Sequence, residues 1–269
     1  MANETTRDGK YLELLLEPMR ECAKYKPAFG KQTDEGVSLE EFHALYAADP
    51  LYKWVGLDSP LMYAAHKAAG GMTSIYRQLG IGCERLLRSV VQDELALNAD
   101  QAAWSYEYEK DEGAVATHTL DVRLNIADIS DAQAQARLRS WLDRVGAELK
   151  LKPKSVKELQ GAVFEVRQGY KSADSKRQNA DIRFGANAHT ENYLPVVCVV
   201  STQVSEPVIR RYRNNRILVL LGHLKGDTVS TFAFCKEVVG YDLAAFFVRN
   251  TTKLRKEFDA VLKGLLTPD

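Results

Sequence analysis

The chain has 269 residues, enough for one large α/β domain or for one domain with a helical appendage. Hydrophobic residues make up 45% of it and charged residues 27%, so its composition excludes an intrinsically disordered protein and permits a sizeable core. The 36 Lys and Arg residues balance the 36 Asp and Glu residues, and this zero net charge counts mildly against a protein that coats DNA without selectivity.

The sequence does not indicate a membrane protein, a secreted protein or a zinc-binding protein. No run of about 18 apolar residues occurs, and the N-terminus lacks the basic, apolar and small-residue regions of a signal peptide. We therefore expect a soluble, cytoplasmic protein without a membrane partner. The four cysteines are far apart and lack zinc-ligand spacing to histidines, so we expect them to be buried thiols.

The first part of the chain has the periodicity of helices. Residues 8–26 place apolar side chains at helical spacing, which predicts a first helix. Ser38 is followed one helical turn later by Glu41, a pattern typical of a capping box at the start of a second helix. We expect a helical N-terminal region over residues 1–82.

A helix, a hairpin and a second helix are predicted next. The segment CERLLRSVVQDELAL has helical periodicity and predicts a helix at roughly residues 83–97. The period then changes to two in WSYEYEK and in VATHTLDVRLNIADI, which predicts two adjacent antiparallel strands. The segment SDAQAQARLRSWLDRVGAELKL has one apolar stripe at helical spacing, with Ser130 or Asp131 as the N-cap.

Apolar strands alternate with helices in the rest of the chain. Three strands are predicted in GAVFEVRQGYK, LPVVCVVST and RILVLLG, separated by predicted helices in SKRQNADIRFGANAHTEN and EPVIRRYRN. TFAFCKEV predicts one more strand, and the C-terminal helix after it is predicted to break near Asn250. The expected fold class is therefore α/β, with a mixed central sheet of five or more strands flanked by helices, over residues 83–269.

Charge concentrates around one strand and the helix that follows it. The stretch GAVFEVRQGYKSADSKRQNADI, residues 161–182, gathers acidic, basic and amide side chains at one strand-to-helix junction. Lys and Arg outnumber Asp and Glu by nine to five over residues 165–216, whereas acidic residues lead by fifteen to eleven over residues 1–100. This junction is the candidate functional site.

The order of these elements resembles a known fold. A helix, a hairpin, an inserted helix, a third strand, a helix, a fourth strand, a helix and a fifth strand follow one another. This order is similar to the αβββαβ core of PD-(D/E)XK nucleases, the superfamily that includes most type II restriction endonucleases. The resemblance covers roughly residues 83–222, and it implies a restriction endonuclease-like fold with a metal-dependent active site.

The resemblance also implies which side chains form the active site. The family pattern has an acid on the second core strand, an acid on the third and often a glutamate from the preceding helix, which correspond here to Asp121, Glu165 and Glu84. Asp121 and Glu165 are the expected ligands of a magnesium ion, Mg²⁺, because oxygen-rich carboxylate sites hold this ion for phosphodiester hydrolysis. A structural alternative is an ion pair between Glu165 and Arg167 on a solvated face of the sheet.

This chain does not have a lysine at the position where the family pattern has its catalytic cation. Arg167 stands two residues after Glu165, where the family has lysine. Because side chains alternate along a strand, Lys171 would lie on the Glu165 face if the strand stayed regular to its end. Lys171 is the expected catalytic cation, and Arg167, which stays charged and would act as a clamp, is the alternative.

Two basic segments are candidates for DNA contact. The helix that follows the third strand begins with side chains that suit bases and phosphates, namely Lys176, Arg177, Gln178 and Asn179. The short basic helix contributes a second cluster that suits a phosphate backbone, namely Arg210, Arg211 and Arg213. Each segment is also explained as the solvated face of a helix.

His118 lacks a partner at metal or triad spacing, so we expect a structural role for it.

These observations predict a magnesium-dependent, sequence-specific endonuclease that hydrolyses phosphodiester bonds of double-stranded DNA. Type II enzymes commonly read two-fold symmetric sites, so the resemblance implies a homodimer and a companion DNA methyltransferase. Two alternatives stay open. One is the same fold cleaving branched or nicked DNA in repair, and the other is a non-enzymatic nucleic-acid-binding or interaction module in which Arg167 marks a decayed nuclease site.

Overall fold

A computed structural model describes residues 2–29, 36–109, 113–170 and 175–267, with side chains described from residue 7 onward. The chain divides into two compact units. The first comprises Met1–Gly82 and Arg249–Asp269, and the second comprises Cys83–Val248. The expected active-site acids all belong to the second unit.

Helices and strands follow one another along the whole described chain. The α-helices are α1 (Ala2–Glu21), α2 (Leu39–Ala47), α3 (Pro50–Trp54), α4 (Pro60–Leu95), α5 (Ala99–Ala102), α6 (Ala132–Glu148), α7 (Pro153–Glu158), α8 (Ser175–Thr190), α9 (Glu206–Asn214), α10 (Thr231–Ala233) and α11 (Leu243–Leu266). The strands are β1 (Trp104–Glu109), β2 (Val115–Leu120), β3 (Val122–Asn125), β4 (Gly161–Arg167), β5 (Tyr193–Val199) and β6 (Leu218–Leu220).

Capping and close packing shape the helices of the first unit. The Glu41 amide donates to Ser38 Oγ at 3.2 Å, and the Ser38 amide donates to the Glu41 carboxylate at 2.9 Å, which confirms the predicted capping box. Helix α4 is much longer than the predicted helix at 83–97 and contains four glycines. A Cβ at Gly82 would lie 2.5 Å from the Leu15 carbonyl oxygen, so this glycine permits a close approach that offsets its low helix propensity.

The second unit contains two sheets. Strands β1 and β2 pair antiparallel, with Tyr106 opposite His118. The other sheet has the order β3-β4-β5-β6, in which β3 is antiparallel to β4 and the last three strands are parallel. The fold is therefore α/β with a mixed sheet, as expected. This sheet has four strands in the described chain, not the five or more that were predicted.

The predicted second strand is divided at Asp121. Strand β2 ends at Leu120 and pairs with β1, whereas β3 begins at Val122 and pairs with β4. The alternation of apolar and polar residues runs through both strands, but it carries no information about which neighbour each strand pairs with. The expectation of one larger sheet was wrong for this reason.

Helices cover both faces of the four-stranded sheet. On one face the Phe164 ring of β4 lies 6.4 Å from the Trp141 ring of α6, centroid to centroid. On the other face Val163 belongs to a buried cluster that includes Phe184 of α8. Successive side chains of a strand point to opposite faces, so Glu165 lies on the same side as Val163, facing α8.

Two predictions about the C-terminal part of the chain were wrong. The segment TFAFCKEV forms α10 and a π-helix (Phe234–Val239) instead of a strand, and the Ala233 amide donates to the capping side chain of Ser230 at 3.1 Å. Helix α11 continues through Asn250 without a break. The Asn250 amide group donates to the Asp8 carboxylate at 3.0 Å, which engages this polar residue while the backbone stays helical.

The cysteines match their predicted state. All four are free and buried. Burial raises the pKa of the Cys83 and Cys198 thiols to about 12, so these thiols stay protonated near neutral pH and do not act as nucleophiles. Among the helices that the structure describes, none is long and apolar enough to cross a membrane.

Candidate active site

Asp121 lies where β2 ends and β3 begins. Its backbone amide donates to the Phe164 carbonyl oxygen at 3.1 Å, and its side-chain Oδ2 accepts a hydrogen bond from the Val166 amide at 2.6 Å. The carboxylate therefore takes the place of a strand carbonyl at the end of the β3–β4 ladder. The side chain is only 14% exposed, so this acid is held beside β4.

Glu165 and Glu84 bring two more carboxylates to the neighbourhood of Asp121. Glu165 is on β4, and Glu84 is on α4. Arg88, one turn after Glu84, donates to Glu84 Oε1 at 3.0 Å and to the Asp121 backbone carbonyl at 2.6 Å. Three acids from three separate elements therefore share one site. Arg88 was not predicted, although its spacing from Glu84 is the one that pairs opposite charges on a helix.

The surroundings of Asp121 disfavour its negative charge. Burial is the main cause, and repulsion by Glu165 and Glu84 adds to it, so the pKa of Asp121 rises to about 8. The Val166 amide and the Arg88 guanidinium act in the opposite direction without cancelling this rise. A carboxyl group in this setting is protonated near neutral pH unless a cation joins the acids. This need for positive charge fits a divalent cation at Asp121 and Glu165.

The acids provide part of a coordination shell. In the described ranges, no group of three or more His, Cys, Asp and Glu side chains is arranged to hold a metal ion. Magnesium usually binds through one or two carboxylates and keeps several water ligands, so the carboxylates of Asp121 and Glu165 are of the type and number that this ion uses. Lys171 lies outside the described residues. Strand β4 ends at Arg167, so the regular strand on which its placement on the Glu165 face depends does not continue through Gly169.

Arg167 is buried between two carboxylates. The residue is 8% exposed, and its Nη2 lies 2.6 Å from Asp181 Oδ1 and 3.3 Å from Glu165 Oε1. Burial acts to lower the pKa of Arg167, but Asp181 and Glu165 raise it above its ordinary value. The ion pair between Glu165 and Arg167 that was expected on a solvated face of the sheet is thus present, but it is buried.

Asp181 and Tyr212 extend this ion pair into α8 and α9. Asp181 is 4% exposed and accepts a hydrogen bond from the Tyr212 hydroxyl. The hydroxyls of Tyr212 and Tyr170 are hydrogen-bonded at 2.9 Å. Burial raises the pKa of Asp181, while the Arg167 guanidinium opposes this shift. The sequence did not predict Asp181 or Tyr212, because each is an ordinary polar position of a helix until the tertiary structure buries it.

His118 also lies near the acids. Its Nε2 is 3.7 Å from Glu165 Oε2, and its ring packs edge-on against Tyr106 with centroids 5.5 Å apart. The side chain is 39% exposed, so it reaches solvent as well as Glu165. The predicted structural role accounts for the ring packing but not for the position beside Glu165.

The predicted DNA-binding residues of α8 fall into two groups. Lys176 and Arg177 are exposed in its first turn. Gln178 is 6% exposed, and its amide oxygen accepts a hydrogen bond from Arg211 Nη1 at 2.7 Å. The Asn179 amide oxygen accepts a second hydrogen bond, from Arg211 Nη2 at 2.7 Å. Gln178 is therefore buried and hydrogen-bonded to Arg211, which is contrary to its predicted contact with a DNA base. Through these two hydrogen bonds Arg211 joins α8 to α9.

The other two arginines of α9 face solvent. Arg210 and Arg213 are exposed, whereas Tyr212 between them is fully buried. Arg211 joins α9 to α8 through Gln178 and Asn179. We use the name basic surface for the exposed cations of the two helices, which are Lys176, Arg177, Arg210 and Arg213.

Comparisons with known proteins do not assign this chain to a family. No protein-family model, curated protein or solved structure matches it. The chemistry open to the site follows from its own side chains. Two neighbouring carboxylates suit a hard cation, a fixed guanidinium orients one of them, and exposed cations suit phosphate.

Replacing Asp121 by asparagine tests the raised pKa of this group. The folded-state pKa lies above the unfolded value, so the native state binds more protons than the unfolded state between about pH 4 and pH 8, and wild-type stability falls as the pH rises through that window. Asp121→Asn keeps an acceptor for the Val166 amide but does not ionise. We expect its melting temperature to exceed that of the wild type by ~2–6 °C at pH 8.5 and to converge with it near pH 4.

Differential scanning calorimetry without metal, repeated with Mg²⁺, measures this difference. The exposed residue Asp143 offers a matched control, because Asp143→Asn should follow the wild-type curve at every pH. Mg²⁺ should raise the melting temperature of the wild type more than that of Asp121→Asn. Parallel pH curves for Asp121→Asn and the wild type would contradict the raised pKa.

Asp181→Ala tests the buried ion pair. It leaves the Arg167 guanidinium buried with one carboxylate fewer, which we expect to cost about 3–5 kcal/mol of stability. Replacing both partners by apolar residues, as in Arg167→Met with Asp181→Leu, should recover most of that loss. The control is Glu158→Ala, which removes the exposed Lys154–Glu158 ion pair and should change stability by less than about 0.5 kcal/mol. Denaturant unfolding reports all three, and equal losses for Asp181→Ala and Glu158→Ala would refute the role of the pair.

Proposed function

We propose that this chain is a magnesium-dependent endonuclease that hydrolyses phosphodiester bonds of double-stranded DNA, of the kind found among PD-(D/E)XK type II restriction enzymes. The observation that carries the proposal is the meeting of Asp121, Glu165 and Glu84 at one end of the β3–β4 ladder, with the pKa of Asp121 raised to about 8. Carboxylates that repel one another in a buried site have little structural use without a cation.

Three residues have separate roles in such a site, namely Asp121, Glu165 and Arg88. Asp121 and Glu165 would hold Mg²⁺, which would supply activation of a water molecule and stabilisation of charge on the phosphate oxygens. Arg88 orients Glu84 and the Asp121 backbone through hydrogen bonds of 3.0 and 2.6 Å. Because these contacts are made before substrate arrives, the acids are preorganised for the reaction.

Arg167 acts in this proposal as a positioning residue. Its guanidinium fixes Glu165 from one side and is itself fixed by Asp181. Arginine stays protonated, so Arg167 holds charge at the site but moves no proton. The proton-moving or charge-stabilising role that a lysine has in the family pattern is assigned to Lys171.

The basic surface is the proposed contact for the DNA backbone. Lys176 and Arg177 begin α8, and Arg210 and Arg213 lie on the outer side of α9. Asp181 and Tyr212 connect these two helices to Arg167 and so to the acids. Sequence-specific cleavage, a homodimer and protection of host DNA by a partner methyltransferase belong to the same proposal.

Cleavage of unmethylated phage DNA is the decisive experiment. With Mg²⁺ we expect discrete fragments on a gel, and none with a chelator. Glu165→Gln removes a metal ligand with little change of shape and should lower the cleavage rate at least about a hundredfold while DNA binding persists. The control Glu158→Gln changes an exposed glutamate of α7 and should cleave like the wild type. Cleavage by Glu165→Gln at the wild-type rate would remove Glu165 from the site.

Binding of DNA by the basic surface has its own test. Arg210→Ala combined with Arg213→Ala should weaken binding uniformly across sequences. It should also reduce the slope of log K against log salt by about 2, or about 1 per phosphate contact. Fluorescence anisotropy with a labelled duplex, in Ca²⁺ to prevent cleavage, measures both quantities. Lys154→Ala, which removes an 88% exposed lysine side chain of α7, should leave the slope unchanged. An unchanged slope for the double variant would exclude α9 from the contact.

A second candidate is a non-catalytic DNA-binding protein with a decayed nuclease site. The observation that favours it is the engagement of Arg167 by two carboxylates at the position where the family pattern has its lysine. The two candidates differ in one outcome of the cleavage experiment. Salt-dependent binding without any metal-dependent fragments, across several DNA substrates and divalent ions, selects the non-catalytic protein.

A further inference from the structure

Arg183 of α8 is an exposed arginine whose guanidinium stacks on the β1–β2 hairpin. Its Cζ lies 3.9 Å from the centroid of the Tyr108 ring. Stacking uses one flat face of the guanidinium and leaves the N–H donors at its edges free to bind a ligand. Contact with the ring also restricts the long side chain, so less freedom is lost when a ligand binds.

Tyr106 of β1 lies near both Arg183 and the acid of β4. Burial raises the pKa of Tyr106, a hydrogen bond and the positive charge of Arg183 oppose this rise, and the negative charge of Glu165 adds to it. The ring of Tyr106 lies 5.5 Å from that of His118, centroid to centroid, and His118 Nε2 lies 3.7 Å from Glu165 Oε2. Arg183 and Glu165 therefore reach the same tyrosine from α8 and from β4.

Within the described part of the chain, no carboxylate forms an ion pair with the Arg183 guanidinium. Arg167 and Arg88 differ in this respect, because Arg167 lies between two carboxylates and Arg88 is hydrogen-bonded to Glu84. The positive charge of Arg183 is thus left for a negatively charged group from outside the protein.

A phosphodiester brings such a negative charge to the acids. Arginine matches phosphate well, because its planar guanidinium can donate two parallel N–H hydrogen bonds to two phosphate oxygens. We propose that Arg183 binds the DNA phosphate that is cleaved, and that Tyr108 and Tyr106 are positioning residues for its guanidinium. Arginine holds its charge and moves no proton, so this role is separate from the one assigned to Lys171.

This inference rests on the proposed function for the identity of the ligand. It differs from the basic surface in its expected effect. The basic surface would hold the DNA backbone away from the reacting atoms, whereas Arg183 would contact the single phosphate at the acids. Loss of Arg183 should therefore lower kcat much more than it lowers the affinity for DNA, because the contact acts on the group whose charge changes in the transition state.

Two substitutions of Arg183 test the contact. With Mg²⁺ and saturating phage DNA, Arg183→Ala should lower kcat at least about a hundredfold. Arg183→Lys keeps the charge without the two parallel donors, so it should recover part of the loss. Millimolar guanidinium chloride should restore part of the activity of Arg183→Ala and leave that of the wild type unchanged.

A measurement without cleavage accompanies the kinetics. In Ca²⁺, fluorescence anisotropy with a labelled duplex should give Arg183→Ala a slope of log K against log salt that is reduced by about 1, as expected for one phosphate contact. The matched control is Arg144→Ala, which removes an exposed arginine of α6 that is hydrogen-bonded to Ser140. It should keep the wild-type slope and kcat. Circular dichroism checks that each variant is folded.

The outcomes separate this inference from the nuclease proposal. Cleavage by Arg183→Ala at the wild-type rate overturns the contact. So does a loss of cleavage with an unchanged salt slope and no rescue by guanidinium, because the side chain would then act only through its packing on Tyr108. A wild type that binds DNA without cleaving it refutes the nuclease, and the salt slope alone then decides the phosphate contact. A wild type that does not bind DNA overturns both proposals.

Discussion

The ion pair between Arg167 and Asp181 holds the candidate site together. Its Nη2–Oδ1 distance of 2.6 Å joins β4 to α8, and the hydrogen bond from Tyr212 to Asp181 adds α9. Glu165 is oriented from the same guanidinium. Because a buried charge without a partner is strongly destabilising, the four side chains depend on one another. The helices of the basic surface are thereby connected to the acids.

Asp121 combines a structural and a proposed chemical role in one side chain. Its carboxylate ends the β3–β4 ladder by accepting the Val166 amide, at the residue where the chain leaves the β1–β2 hairpin. The same position buries it and brings it near Glu165 and Glu84, which raises its pKa. Where the chain passes from one sheet to the other, the Asp121 carboxylate therefore accepts the hydrogen bond that a strand carbonyl would otherwise accept. The geometry that ends the ladder also places the acids of the proposed cation site.

The two units present different chemistry to their surroundings. The second unit carries the acids and the exposed cations of α8 and α9, which suit a metal ion and a phosphate backbone. The first unit carries a cavity whose lining includes Tyr25, Phe29, Tyr46 and Tyr52, and an exposed apolar side chain, Trp54, on α3. This separation follows the charge distribution of the sequence, which is acidic over residues 1–100 and basic over residues 165–216.

The sequence alone determined the positions of most helices and strands between residues 83 and 222, the capping box of α2 and the three separate elements that carry the acids. These features depend on local periodicity and on spacing within one element, which a sequence displays directly. Only the tertiary structure decided that β2 and β3 join different sheets, that α4 continues through its glycines and that Gln178 is buried against Arg211. It also decided that Asp181 meets Arg167. Each of these outcomes depends on which distant segment a residue packs against, and the period of a pattern shows that a face is buried without showing its partner.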